Sequence, residues 1–124
     1  MLGKVEGEDA KKEWHGHVSA VTVAPQFRRQ GIANALMMYL EEVSIKTHNT
    51  WFVDLFVRPS NAIAVGFYRK LGYEVYRTVT GYYGSSSTGG EDAYDMRRAM
   101  PRDVDGSTAI PLNKSIMPHE LEWR

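Results

Sequence analysis

The sequence contains no cysteine. That excludes a disulfide framework, a thiolate nucleophile and a cysteine-based zinc site. It has no surplus of either charge, since 15 Lys and Arg balance 15 Asp and Glu. Non-specific binding to nucleic acid or to an anionic membrane draws on a basic surplus, so neither is expected. No apolar run approaches the roughly 18 residues of a membrane span. The opening MLGKVEGEDAKKEW is charged and has no apolar signal-peptide core. The patterns G-x-G-x-x-G and G-x-x-x-x-G-K-S/T are absent, which removes dinucleotide-fold and P-loop readings. What remains is 124 residues, 43% apolar and 24% charged. That is the composition of one soluble globular domain, with a cytoplasmic location the simplest expectation.

Along the chain the pattern alternates. Residues 1–13 are polar and read as a loop or strand remnant. HVSAVTV, from His17 to Val23, is rich in β-branched residues and predicts a strand. Ile32, Leu36, Leu40 and Val43 then recur at helical spacing, with Glu41 and Glu42 toward solvent, which predicts a helix from about Gly31 to about Lys46. WFVDLFV is an almost unbroken apolar run, suited to a strand buried on both faces. A second helix follows, with Pro59 before it, Ser60 as the expected N-cap, Ile63, Phe67 and Leu71 as its stripe, and Gly72 past its end. Tyr73–Thr80 and AYDMRRAM predict two more strands, the latter with Tyr94 and Met96 on one face. Strand–helix–strand units imply parallel pairing through right-handed crossovers. The fold class is therefore α/β, a mixed sheet flanked by two main helices. The structured domain spans residues 1–100. Residues 101–124 are expected to be a peripheral or disordered tail, from which Ile110, Leu112 and Ile116 could dock on a partner.

The richest stretch is VAPQFRRQGIANALMMYL, where strand gives way to helix. A helix N-terminus carries unpaired N–H groups and partial positive charge, which makes it an anion site. Gly31 lets an anion approach the backbone, Ala33 keeps the same face small, and Arg28 and Arg29 add charge-assisted hydrogen bonds. Together these fit a pyrophosphate. A lone R-x-x-G would more often be a solvated turn.

RRQGIA resembles the R/Q-x-x-G-x-G/A signature of the GNAT acetyltransferases. Downstream, Asn61, Ala64, Tyr68, Leu71, Gly72 and Tyr73 look like the second half of that family's cofactor site. Two signatures in order, each in the expected structural context, are more specific than either alone. EWHGHVSAVTVAPQFRRQGIA, FVDLFVRPSN, KLGYEVYRTV, YYG and EDAYDMRRAM are further similar to the catalytic subunits of N-terminal acetyltransferases of the NatB class, over about residues 13 to 100.

The resemblance implies a GNAT-like fold and acetyl transfer from acetyl-CoA, without metal, to the α-amine of proteins beginning Met-Asp, Met-Glu, Met-Asn or Met-Gln. It also implies a large auxiliary subunit and, through it, the ribosome as partners. For the donor it implies Arg28, Arg29, Gln30, Gly31, Ile32 and Ala33 at the pyrophosphate. Val21, Thr22 and Val23 would pair with the pantetheine arm and stabilise an oxyanion. Asn61 is either a cofactor contact or simply the opening residue of its helix, and the motif favours the cofactor. Tyr68, otherwise a core tyrosine at helical spacing, becomes the candidate that protonates or orients the CoA sulfur. For the acceptor it implies that His17 meets the acidic second residue and that Tyr82 and Tyr83 hold the peptide backbone. The alternatives are a capped surface histidine and loop aromatics that cover the core. His15 and His17 lie two apart on a strand and raise the question of a metal, but the sequence offers no evident third ligand.

The family domain normally opens with a helical segment and about three strands ahead of the first strand recognised here. The expectation is therefore an intact cofactor half, an incomplete acceptor half and an unpaired edge on that first strand. Alternatives are a non-catalytic remnant that binds CoA or the auxiliary subunit, and a GNAT acting on another amine.

Overall fold

The chain is seen here as a computed structural model that describes residues 2–7, 13–19, 30–82 and 91–121, without the side chains of residues 2–4, 19 and 30–33. Among these residues the order is β1 (Leu2–Glu6), β2 (His15–Ser19), α1 (Gln30–Lys46), β3 (Phe52–Val57), α2 (Ala62–Lys70), β4 (Glu74–Val79), β5 (Ala93–Ala99) and a short β6 (Ser115–Ile116). The strands form one mixed sheet in the order β1-β2-β3-β5-β4-β6. β2 and β3 are parallel, as the intervening α1 requires. β5 lies antiparallel between β3 and β4, so these two are not neighbours despite the helix that joins them.

Two expectations about the N-terminal part change. The strand begins at His15 rather than His17. Its outer edge is not bare either, because β1 pairs with it antiparallel from Leu2↔Ser19 to Glu6↔His15. The edge of the sheet is thus β1 itself.

Side-chain alternation divides the sheet into two different faces. Val18, Val53, Leu55, Val57 and Met96 form one face and pack with Met37 of α1 and Ala64, Phe67 and Tyr68 of α2 into the main core. β3 is buried along its length, as its apolar run implied. The buried stripe of α1 is Met37, Glu41 and Ser44, whereas Leu36 is exposed. Glu41 was expected near solvent. It turns inward because it accepts hydrogen bonds from the Tyr73 hydroxyl at 2.6 Å and from Arg98 Nη1 at 3.0 Å. On α2, Phe67 is buried as expected and Ile63 is exposed. At Gly16 the helix sits close on the sheet, and a Cβ there would lie 2.4 Å from Ser44 Oγ.

Asn61, not Ser60, caps α2, its side chain accepting from Ala64 N at 3.2 Å. Gly72 takes the left-handed φ of 101° that ends the helix. The tail is more ordered than expected. Thr108 sits in a 3-10 turn at Ser107–Ala109 and is buried, and β6 runs parallel to β4. Ile116 packs with Val79 and Ala93 in a second, smaller cluster flanked by Phe56 and Leu121. Ile110 and Leu112 remain exposed.

Candidate active site

The second sheet face is polar. Cross-strand register aligns His17, Asp54, Arg97 and Glu74, basic and acidic in turn across four strands. Beside this row lie His15, which stacks on Phe52 with ring centroids 4.5 Å apart, and Asp95 and Arg77. The centre of the row is Asp54, fully buried in the middle of an otherwise apolar strand. Its Oδ1 is 2.7 Å from His17 Nδ1 and 3.4 Å from His15 Nε2. Burial opposes ionisation of Asp54, but the His17 hydrogen bond and the charge of the two histidines outweigh it and bring its pKa down to about 2. Asp95 behaves oppositely. Burial and then the charge of Asp54 push it well above the usual carboxylate value, against the pull of Arg97 and Arg77. Arg77 Nε is 3.1 Å from Asp95 Oδ2. Arg97 is sandwiched between Phe52 and Tyr76, 4.0 and 3.6 Å from their ring centroids, and donates to the Thr108 carbonyl at 3.0 Å.

At the opposite end of this network the site reaches solvent. The His17 side chain is 12% exposed and meets the Phe56 ring edge-on with centroids 5.3 Å apart. Phe56 in turn meets Tyr82 edge-on at 4.8 Å. Two of the sequence-derived acceptor candidates, His17 and Tyr82, are thus brought together through a shared aromatic. Tyr83 lies outside the described residues.

Tyr68 lies elsewhere. It is buried in the main core, edge-on to Phe67 and Tyr73, on the sheet face opposite His17. Asn61 is at the mouth of α2 as its N-cap. Gln30, Gly31, Ile32 and Ala33 form the first turn of α1, so the proposed anion site is at a helix N-terminus in a 17-residue helix. Val21, Thr22, Val23, Arg28 and Arg29 lie outside the described residues. Sequence reading set a metal aside for want of a third ligand. Glu6 is such a group, since its carboxylate and the two imidazoles lie within 4.8 Å of one another. Within this cluster His15 Nδ1 pairs with the Glu13 carbonyl and His17 Nδ1 with the Asp54 carboxylate. Sequence reasoning missed Asp54, Phe56, Asp95 and Arg97. The available signal was the lone charge inside WFVDLFV, at a position that alternation pairs with His17.

Residues 1–73 match the model of the acetyltransferase (GNAT) family. The chain belongs to the GNAT acetyltransferase family. Among GNAT proteins it is 54% identical over 122 residues to N-alpha-acetyltransferase 20 of Dictyostelium discoideum, covering 98% of this chain and 67% of that protein. The chain thus spans about two thirds of that relative's length. Its fold is similar to the crystal structure of Chaetomium thermophilum Naa20 in complex with a bisubstrate analogue. The TM-score is 0.82 and the identity 41%, over 95% of this chain and 68% of that one. The NatB acetyltransferase complex bound to CoA and MES is also similar, with a TM-score of 0.64 and 44% identity over 82% of this chain and 63% of that one. The mixed sheet with two helices is accordingly a GNAT fold. Among the described residues no helix is long and apolar enough to cross a membrane.

Proposed function

We propose that this chain is the catalytic subunit of an N-terminal acetyltransferase of the NatB class. It transfers acetyl from acetyl-CoA to the α-amine of proteins that begin with Met followed by Asp, Glu, Asn or Gln. The supporting observation is the identity of 54% over nearly the whole chain to an N-alpha-acetyltransferase. The union of His17 and Tyr82 around Phe56 supports the acceptor assignment. An α-amine has an unperturbed pKa of about 7.7–8.0, so a useful fraction is neutral near pH 7 and the demand on a base is small. In this reading His17 donates to the second side chain of the substrate, and a donor serves both carboxylates and amides. Tyr82 and Tyr83 hold the peptide backbone. Arg28, Arg29, Gln30, Gly31, Ile32 and Ala33 take the pyrophosphate, Asn61 and Val21, Thr22 and Val23 the rest of the donor, and Tyr68 orients or protonates the sulfur. The partner is a large auxiliary subunit, which brings the enzyme to ribosomes in the cytoplasm.

The test is acetylation of peptides that start Met-Asp, Met-Leu or Ser, with acetyl-CoA and the auxiliary subunit present. The expected outcome is turnover of Met-Asp in clear preference to the other two. His17→Gln should raise KM for Met-Asp about tenfold, in line with one lost charge-assisted hydrogen bond. Retained acetyl-CoA binding without turnover would instead favour a non-catalytic CoA-binding role, and turnover without preference a GNAT acting on other amines.

A further inference from the structure

The buried network on the polar sheet face has two ends. At β4 and β5 it is closed, with Arg77 and Arg97 against Asp95 and the tail laid over Arg97. At β2 it reaches His17, whose ring meets Phe56, the neighbour of the exposed Tyr82. The link between them is Asp54, which has no exposed surface. A carboxylate taken out of water costs several kcal/mol unless its neighbours compensate, and apolar residues of similar volume would fill the same space without that cost. An apolar replacement could not hold an imidazole by one chosen nitrogen.

That is what Asp54 does. Its Oδ1 receives His17 Nδ1 at 2.7 Å, while Phe56 meets the same ring edge-on and limits its tilt. A carboxylate on Nδ1 sets the tautomer, fixes the ring plane and favours the imidazolium form. The charged and titratable groups that face this pair are Glu6 from β1, His15 from β2, Asp95 and Arg97 from β5 and Arg77 from β4. Both arginines lie on the far side of Asp54 from His17, against Asp95.

We propose that Asp54 is the positioning residue that sets acceptor specificity: by accepting the hydrogen bond of His17 Nδ1–H it favours the imidazolium and makes the Nε2–H edge a charged donor for an acidic second residue. This rests on the reading above, in which His17 meets that residue. A neutral ring protonated at Nδ1 would present an acceptor at Nε2 and repel Asp or Glu. The buried carboxylate thus favours Met-Asp and Met-Glu over their amide counterparts.

The experiment compares the full chain with its auxiliary subunit against Asp54→Asn, His17→Gln and the double variant, on Met-Asp and Met-Asn peptides. For Asp54→Asn, KM for Met-Asp should rise about tenfold, with kcat within about twofold and KM for Met-Asn within about threefold. The Met-Asp advantage should vanish in this variant above about pH 6.5, where an unassisted imidazole loses its second proton, and persist to higher pH in the unaltered chain. Once His17 is Gln, adding Asp54→Asn should change KM no further. An equal loss on both peptides, or a loss in kcat alone, would overturn the proposal. If the unaltered chain shows no preference for Met-Asp over Met-Leu, the acceptor reading itself falls. Should Asp54→Asn fail to fold, nitrogen NMR of the His17 ring in the unaltered chain decides. Two protonated nitrogens at pH 7 support the proposal, and an unprotonated Nδ1 overturns it.

Discussion

Tyr73 shows how a single residue can bind two elements. Its hydroxyl donates to Glu41 of α1 at 2.6 Å from a position just beyond α2, and it is fully buried. Burial, and then the nearby Glu41 carboxylate, push its pKa well above the usual tyrosine value near 10. The folded protein therefore holds this proton more tightly than the unfolded chain does. Its contribution is complete below about pH 10 and is lost as the pH rises further. Tyr73→Phe should lower stability by about 1.5–3 kcal/mol at neutral pH, the worth of a hydrogen bond to a charged group. It should also flatten the alkaline limb of stability against pH, both read from urea denaturation. Tyr73 entered the sequence reading as a motif member and a strand start but not as a link to α1, because its partner lies 32 residues away. Asp54 was hidden for the same reason, since its partner His17 lies 37 residues away and one strand across.

Local signals were the most legible at the level of elements. Helix α2 ends where Gly72 demanded, and β3 carries the burial its apolar run implied. Strand neighbours were less legible. Hydrophobic periodicity gives a strand its faces but does not name its partner, so the insertion of β5 between β3 and β4 could not be read from the pattern. The close seating of α1 on β2 was equally invisible, although Gly16 was its trace. Gly16→Val should destabilise the protein by about 1–3 kcal/mol through overpacking against Ser44. Pairing it with Ser44→Ala should recover part of that loss, as a thermal or urea midpoint would show.

For the molecule as a whole, the tail closes one face. Thr78 N donates to the Lys114 carbonyl at 3.0 Å, and Thr80 N donates to the Ile116 carbonyl at 2.7 Å. Asp103 accepts from Thr108 N at 2.8 Å and anchors the start of this cover. Removing residues 107–121 would uncover Val79, Ala93 and Phe56 and take the Thr108 carbonyl from Arg97. The loss should include roughly 1.5–3 kcal/mol for Ile116 alone. It should appear as a lower urea midpoint with new binding of a hydrophobic dye.

The place of β5 also sets an order of events. It is the last long strand in the chain, yet it occupies the middle of the sheet and gives β3 and β4 their common neighbour. Until it arrives, β3 and β4 share no strand–strand pairing. Joining them requires contacts about 40 residues apart along the chain, which are entropically slow to form. Assembly of the sheet is therefore a late, cooperative step. The same strand completes the charged row with Arg97, so the polar face and the fold mature together.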